Sequence, residues 1–390
     1  MTHTCPACGS SGLVLFFELA QVPVHQHLLY ATIEAAMQAT RGDIALSFCP
    51  ACGFVTNTTF DASLLNYSAD YDNTQCYSPL FSVYISDLAD DLITRHDLHG
   101  KRVIEIGCGK GDFIRMLCER GPNTGVGFDP SYLGDDSALD GHLTFIKDFY
   151  DERYSHYAAD FYCTRHVIEH VKQPAAMLNS LRRAIGEREN VAIFFETPDV
   201  SWILRHAVFW DIFYEHCSLF SPGSLARLYA ASGFDMTRAA VVFGDQYMWV
   251  EGVTAVGHGG QVRVPVESAT DLLPLVNDFS VRCTARMADS RDLLKRLAAE
   301  NRRVVLWGAG AKGVTFLNSL SVPAERIPYV VDINTRKQGR YIPGTGQQII
   351  APESLSSYRP DTILVTNPNY LNEIRAIASG MSISADVVAL

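Results

Sequence analysis

Val103-Ile104-Glu105-Ile106-Gly107-Cys108-Gly109-Lys110-Gly111-Asp112-Phe113 reads as a short apolar strand, a glycine loop and the start of a helix. Its glycines let the backbone pass close to a ligand, and the helix start offers free amides. Gly125-Val126-Gly127-Phe128-Asp129 follows as a second strand ending in an acid, and Phe145-Ile146-Lys147-Asp148-Phe149 as a third. This strand–helix–strand rhythm predicts an α/β fold with a doubly wound parallel sheet, the ligand lying over its carboxyl edge.

A glycine loop alone is weak evidence for one cofactor. Glu105 narrows the choice. An acid there repels phosphates but suits S-adenosylmethionine, which carries an ammonium and a sulfonium. Asp129, 24 residues on, is placed to accept from ribose hydroxyls, and Asp148 from the adenine amino group. The competing reading is a dinucleotide-binding domain.

A chain of 390 residues calls for two or three domains. A 47% hydrophobic and 19% charged composition is that of a folded soluble protein. The net charge of −11 offers no broad basic face for nucleic acid. The absence of a run of 18 apolar residues argues against a membrane span. The start, Met1-Thr2-His3-Thr4-Cys5, lacks a secretory pattern. A cytoplasmic protein is expected, its ten cysteines being thiols or metal ligands.

Cys5-Pro6-Ala7-Cys8-Gly9 and Cys49-Pro50-Ala51-Cys52-Gly53 repeat one knuckle. Two Cys-x-x-Cys turns complete a tetrahedral thiolate site that suits structural Zn2+, with no position left open for catalysis. A redox pair is the alternative. His25 and His27 lie between the knuckles and are read as packing or substrate-contact residues. His166-Val167-Ile168-Glu169-His170 fits a zinc-peptidase pattern, but it follows an apolar strand and precedes a proline, so catalytic zinc is not expected there.

Trp210-Asp211-Ile212-Phe213-Tyr214-Glu215-His216-Cys217-Ser218-Leu219-Phe220-Ser221 crowds aromatics around one Glu-His pair, downstream of the strand end Phe195-Glu196-Thr197-Pro198. A histidine of near-neutral pKa can remove a proton from a weak carbon or oxygen acid. The alternative is a histidine packed in the core.

Residues 75–257 resemble class I S-adenosylmethionine-dependent methyltransferases. A narrower resemblance covers nearly the whole chain. Glu215-His216 with Phe220-Ser221, Glu196-Thr197-Pro198, and Gln21 to Leu29 between the knuckles are similar to the zinc-containing nucleotide-sugar C-methyltransferases of deoxysugar pathways. The resemblance implies an N-terminal zinc-binding domain over 1–72, a methyltransferase domain over 73–257, a helical connector over 258–301 and a Rossmann-like, substrate-closing domain over 302–390. It implies cofactor contacts from Glu105, Gly107, Cys108, Gly109, Asp129, Pro130, Asp148, Phe149 and His166. His216 would be the base that deprotonates carbon beside the ketone of a nucleoside-diphosphate sugar. Glu215 would orient it, His170 would be a second active-site histidine, and Tyr214 would join them as a catalytic residue. Tyr71 and Tyr77 would line the substrate. Phe213 departs from the family, which often has tyrosine there. Gly244-Asp245-Gln246-Tyr247-Met248-Trp249 replaces a small, glycine-rich stretch. These departures keep open a C-, O- or N-methyltransferase of another small metabolite.

Residues 266–301 carry apolar positions at helical spacing, including Leu272, Val276, Phe279 and Val281. Then Val304-Val305-Leu306-Trp307-Gly308-Ala309-Gly310-Ala311-Lys312-Gly313, with Asp332 ending the next strand, repeats the nucleotide-binding theme. Read alone it suggests an NAD-dependent oxidoreductase. The family resemblance implies no redox cofactor there. Lys312, Lys337 and Arg340 are candidates to meet a diphosphate.

Overall fold

The computed structural model describes residues 4–65, 71, 72, 74, 76–257 and 259–390. Met1 to His3, part of the start read above, lie outside the described residues.

Strands β1 (Val14–Pro23), β2 (Arg41–Phe48) and β3 (Val55–Asn57) form an antiparallel sheet. Its fourth strand is Ser218–Leu219, paired antiparallel to β3 from far along the chain. The N-terminal sheet is thus completed by the segment that carries His216.

The middle domain opens with α1 (Pro79–His96), whose N-cap Ser78 accepts from the Phe81 amide and whose first residue is a proline. Strands β4 (Arg102–Ile106), β5 (Thr124–Phe128), β6 (Leu143–Ile146), β7 (Phe161–Arg165) and β8 (Ala192–Pro198) are parallel and dominated by buried apolar side chains, as strands covered on both faces require. Helices α2 (Asp112–Arg120) and α3 (Pro174–Ile185) cross between them. The chain then passes through α4 (Pro222–Ala231) into an antiparallel hairpin, β9 (Phe234–Val242) and β10 (Tyr247–Thr254), which docks on β8. The order β9-β10-β8-β7-β4-β5-β6, with a two-residue strand on the far edge, is that of the class I methyltransferases.

Helix α5 (Ala269–Ala299) begins at a reciprocal Ser268–Asp271 cap. It is a packed element: Phe279 meets the rings of Phe16 and Phe17 of β1 at 5.7 and 5.1 Å. Val281, counted in its apolar stripe, is 73% exposed instead, because the buried face is narrower than the stripe suggested. The last domain has five parallel strands ordered Gln348–Ile350, Tyr329–Val331, Val304–Trp307, Thr362–Val365, Asp386–Ala389. Helix α6 (Ala311–Ser319) follows the glycine loop. A Cβ on Gly313 would lie 2.1 Å from the Gly308 carbonyl, so only glycine lets helix and loop meet. One apolar core joins β1, the segment 200–219, α5 and this last domain. Among the described residues no helix is long and apolar enough to cross a membrane.

Candidate active site

The parallel register of β4, β5 and β6 brings Glu105, Asp129 and Asp148 to one carboxyl edge. Asp129 Oδ2 accepts from the Gly109 amide at 2.8 Å, drawing the loop onto the second strand. Gly107 and Gly109 have φ of +74° and +55°. Asp148 is held by the Tyr154 hydroxyl at 2.7 Å and by Arg153. Pro130 is exposed, and Phe149 stands 70% exposed as an apolar flank. The Cys108 side chain turns inward against β5, where burial pushes its thiol up, so the loop there offers backbone only.

Glu105 differs from the expectation. It is 2% exposed, and its Oε2 accepts from the Ile114 amide at 3.0 Å. Burial pushes its carboxyl up to about 8, against the pull of Arg165 and of that amide. The edge therefore presents a buried acid under a helix rather than an open carboxylate. Arg165, at the end of β7, adds a feature the sequence reading missed. Its Nε bonds Glu196 at 2.5 Å, while its buried Nη2 has no partner among the described residues. Such an orphan donor fits the carboxylate of an amino-acid tail, and S-adenosylmethionine has one. We expect Gly107→Ala to weaken S-adenosylhomocysteine at least about tenfold in calorimetry. Its Cβ would lie 2.2 Å from Val167 Cγ2, and the left-handed backbone adds roughly 1–2 kcal/mol of strain.

A cavity of about 260 Å³ opens between the domains. Its walls include His166, Glu169, His170, Phe213, Glu215, His216 and Tyr247 on one side, with Tyr71, Tyr77 and His27. Gly308, Gly310, Lys312, Asp332, Asn334 and Lys337 form the other side. Strand pairing delivers His216: the Cys217 carbonyl accepts from the Asn57 amide and the Thr56 hydroxyl, both at 3.0 Å. The His170 and His216 rings stand 4.8 Å apart at 87°. One carboxylate oxygen of Glu169 and one ring nitrogen of each histidine lie within 4.8 Å of one another. His166, at φ +53°, sits against Tyr247 with ring centroids 4.6 Å apart.

Several expectations change here. Glu215 does not orient His216: its Oε1 meets His25 Nδ1 at 3.3 Å and its Oε2 accepts from the Gln26 amide at 3.1 Å. Tyr214 is not brought to the cavity. Neighbouring side chains diverge, so Phe213 lines it while the Tyr214 hydroxyl turns away to the Asp61 amide at 2.9 Å. Arg340 lies outside the lining, its backbone tied to Lys337 and Ile349. Lys312 is ion-paired with Asp211, and Lys337 donates to the Ala309 carbonyl at 3.0 Å. His216 is not near neutral: burial and then His170 push it down to about 3. His27, brought to the wall by the loop after β1, is pushed down to about 3 by burial and then Lys337. The Glu169 carboxylate went unrecognised because its pattern pointed to a peptidase that the short turn Ile168–His170 does not build.

Both histidines resist protonation when folded but take up protons near 6.5 when unfolded. The unfolded state then binds more protons, so stability falls as pH drops from about 6.5 toward 3. We expect melting temperatures to decline across that window, and less steeply in His27→Gln.

The four knuckle cysteines lie within 4.8 Å of one another. The Cys5–Cys52 and Cys8–Cys49 sulfur separations are both 3.7 Å, against about 3.8 Å for the edge of a tetrahedral zinc–thiolate site. The Gly9 and Gly53 amides close the knuckles on the Cys5 and Cys49 carbonyls at 2.8 Å. The group would hold zinc with no open position.

Residues 82–239 match the family described as a methyltransferase domain, and residues 258–384 that described as a C-methyltransferase C-terminal domain. C-methyltransferase NovU of Streptomyces niveus is 25% identical, aligned over 70% of this chain and 68% of its own. Among solved structures, magnesium protoporphyrin IX methyltransferase ChlM of Synechocystis PCC 6803 is 15% identical, with a TM-score of 0.36 over 45% of this chain and 84% of its own. An S-adenosylmethionine-dependent methyltransferase from Mesorhizobium loti is 14% identical, with a TM-score of 0.33 over 43% and 99%. The two consecutive domain matches, over residues 82–239 and 258–384, make the chain an S-adenosylmethionine-dependent methyltransferase that carries the C-terminal domain of C-methyltransferases.

Proposed function

We propose that this methyltransferase acts on carbon beside the ketone of a sugar carried on a nucleoside diphosphate, with structural zinc in its N-terminal domain. The observation that supports the acceptor is the single cavity joining His216 and His170 to the glycine loop of the last domain. Helix α6 starts on that loop with no side-chain cap. Its first amides suit a phosphate, and the buried Asn334 Nδ2, without a partner among the described residues, is a further donor beside them. Asp332 accepts from the Ala309 amide at 2.8 Å and retains lone pairs for ribose hydroxyls.

His216 is neutral at working pH and takes the proton from the carbon acid; the bond electrons delocalise into the ketone as an enolate. The bound methyl donor supplies the electrophilic carbon. Tyr71, Tyr77 and Phe213 wall the cavity and exclude water. The six cysteines outside the knuckles would stay thiols in a reducing cytoplasm.

Calorimetry with S-adenosylhomocysteine, NAD and nucleoside diphosphates tests this. The first and third should bind; heat with NAD alone would end the proposal. Gly310→Asp isolates the acceptor half. A Cβ at 310 meets only His27 Cε1, at 3.9 Å, so the side chain enters open space. An acid at that helix N-cap supports the fold but repels phosphate. Nucleoside diphosphate affinity should fall at least about tenfold, a loss of 1.4 kcal/mol or more, with S-adenosylhomocysteine binding unchanged.

A further inference from the structure

We propose that Glu169 is the positioning carboxylate of the base His216, and that Glu215 instead anchors the loop carrying His27. This rests on the reading of His216 as the base. Glu169 sits in the short turn after β7, where His166 reverses the chain with its left-handed backbone. It is 1% exposed. Its Oε2 accepts from the Thr197 hydroxyl of β8 at 3.0 Å, and its Oε1 lies 3.3 Å from His166 Nδ1. The carboxylate is thus held by Thr197 beside the His166 ring, and one ring nitrogen of each of His170 and His216 lies within 4.8 Å of one of its oxygens. Nδ1 of each ring is buried with no hydrogen-bond partner among the described residues. Nothing else described there is placed to fix their tautomers.

Electrostatics supports the same assignment. Burial alone would raise the Glu169 pKa, but the close approach of His166 Nδ1 and the charges of His166, His216 and His170 hold it at about 2. Glu169 therefore stays ionised and offers a fixed negative charge to the imidazolium that forms when His216 takes a proton. Glu215 cannot serve equally. Both its oxygens are engaged by His25 and the Gln26 amide, which belong to the N-terminal domain. It ties the His25-Gln26-His27 loop to the catalytic segment.

The test compares Glu169→Gln, Glu169→Asp and Glu215→Gln in the full chain. In protein with 15N-labelled histidine, Glu169→Gln should move the ring-nitrogen resonances of His166, His170 and His216 and leave those of His25. Glu215→Gln should do the reverse. Hydrogen exchange in deuterium oxide is then followed with deoxythymidine and uridine diphosphate-linked 4-keto-6-deoxyhexoses. Glu169→Gln should lower the exchange kcat about tenfold or more with little change in KM, and Glu169→Asp should recover part of it. Glu215→Gln should mainly raise KM. Unmoved His216 resonances in Glu169→Gln, or exchange there at the wild-type rate, overturns the assignment. If wild-type protein exchanges hydrogen with neither sugar but the His216 resonances still move, the acceptor reading fails and the Glu169 contact stands.

Discussion

His216→Asn should lower acceptor deprotonation, read as deuterium exchange beside the ketone, by about 10²–10⁴-fold. Asparagine preserves much of the ring's volume but cannot take the proton. Methyl transfer should fall in parallel because it needs the carbanion. S-adenosylhomocysteine affinity should not change, since the proposed donor-site residues Glu105, Asp129 and Asp148 lie on the edge of β4, β5 and β6, whereas His216 reaches the cavity from the strand paired with β3. The pushed-down pKa of His216 bears on the size of the effect. A neutral imidazole is always ready to accept, yet it is a weak base until a neighbouring charge favours its protonated form, which is why the effect should depend on Glu169. Exchange at the wild-type rate in His216→Asn would remove it from the base role.

Extracting the proposed zinc, or substituting Cys49→Ser, should abolish methyl transfer although the knuckles take no part in the proposed chemistry. Structural zinc supplies folding free energy directly, on the order of 10–16 kcal/mol in small zinc modules. Here the dependence passes along the chain. Cys49 follows β2, Cys52 precedes β3, and β3 pairs with Ser218–Leu219. Losing the knuckles frees β3, the Asn57 and Thr56 bonds to the Cys217 carbonyl, and with them the position of His216. Cys5, Cys49 and Cys52 also pack with Phe54 into the core that contains Phe195 and Phe220, so a lower melting temperature should accompany the loss. Metal analysis should return one zinc per chain. A chain stripped of metal that melts and methylates normally would refute the structural role.

The fold was legible because its signals are local. Val103 to Phe113 carries an apolar strand, glycines and a helix start within eleven residues, and the chain builds β4, the loop and α2 there. Val304 to Gly313 repeats the theme and builds a strand and α6. The knuckles were readable for the same reason: two identical pentapeptides need only meet once for four sulfurs to assemble. The candidate site was harder. Residues that converge on the cavity come from the loop after β1, the turn after β7, the segment before α4 and the last domain. No spacing rule relates them.

Tyr214, Glu215 and Glu105 show what such rules omit. A one-residue difference in direction decides whether Phe213 or Tyr214 meets the cavity, and sequence adjacency says nothing of it. Glu215 is next to His216 in the chain but bonded to His25, 190 residues away, while Glu169, 47 residues before His216, faces its ring. Sequence alone determined the sheet type and the thiolate cluster, because each is written in short motifs whose backbone requirements are local. Tertiary structure alone decided which carboxylate serves which histidine and how far burial moves their proton affinities. Those depend on distance and dielectric, which exist only once segments far apart in the chain have folded together.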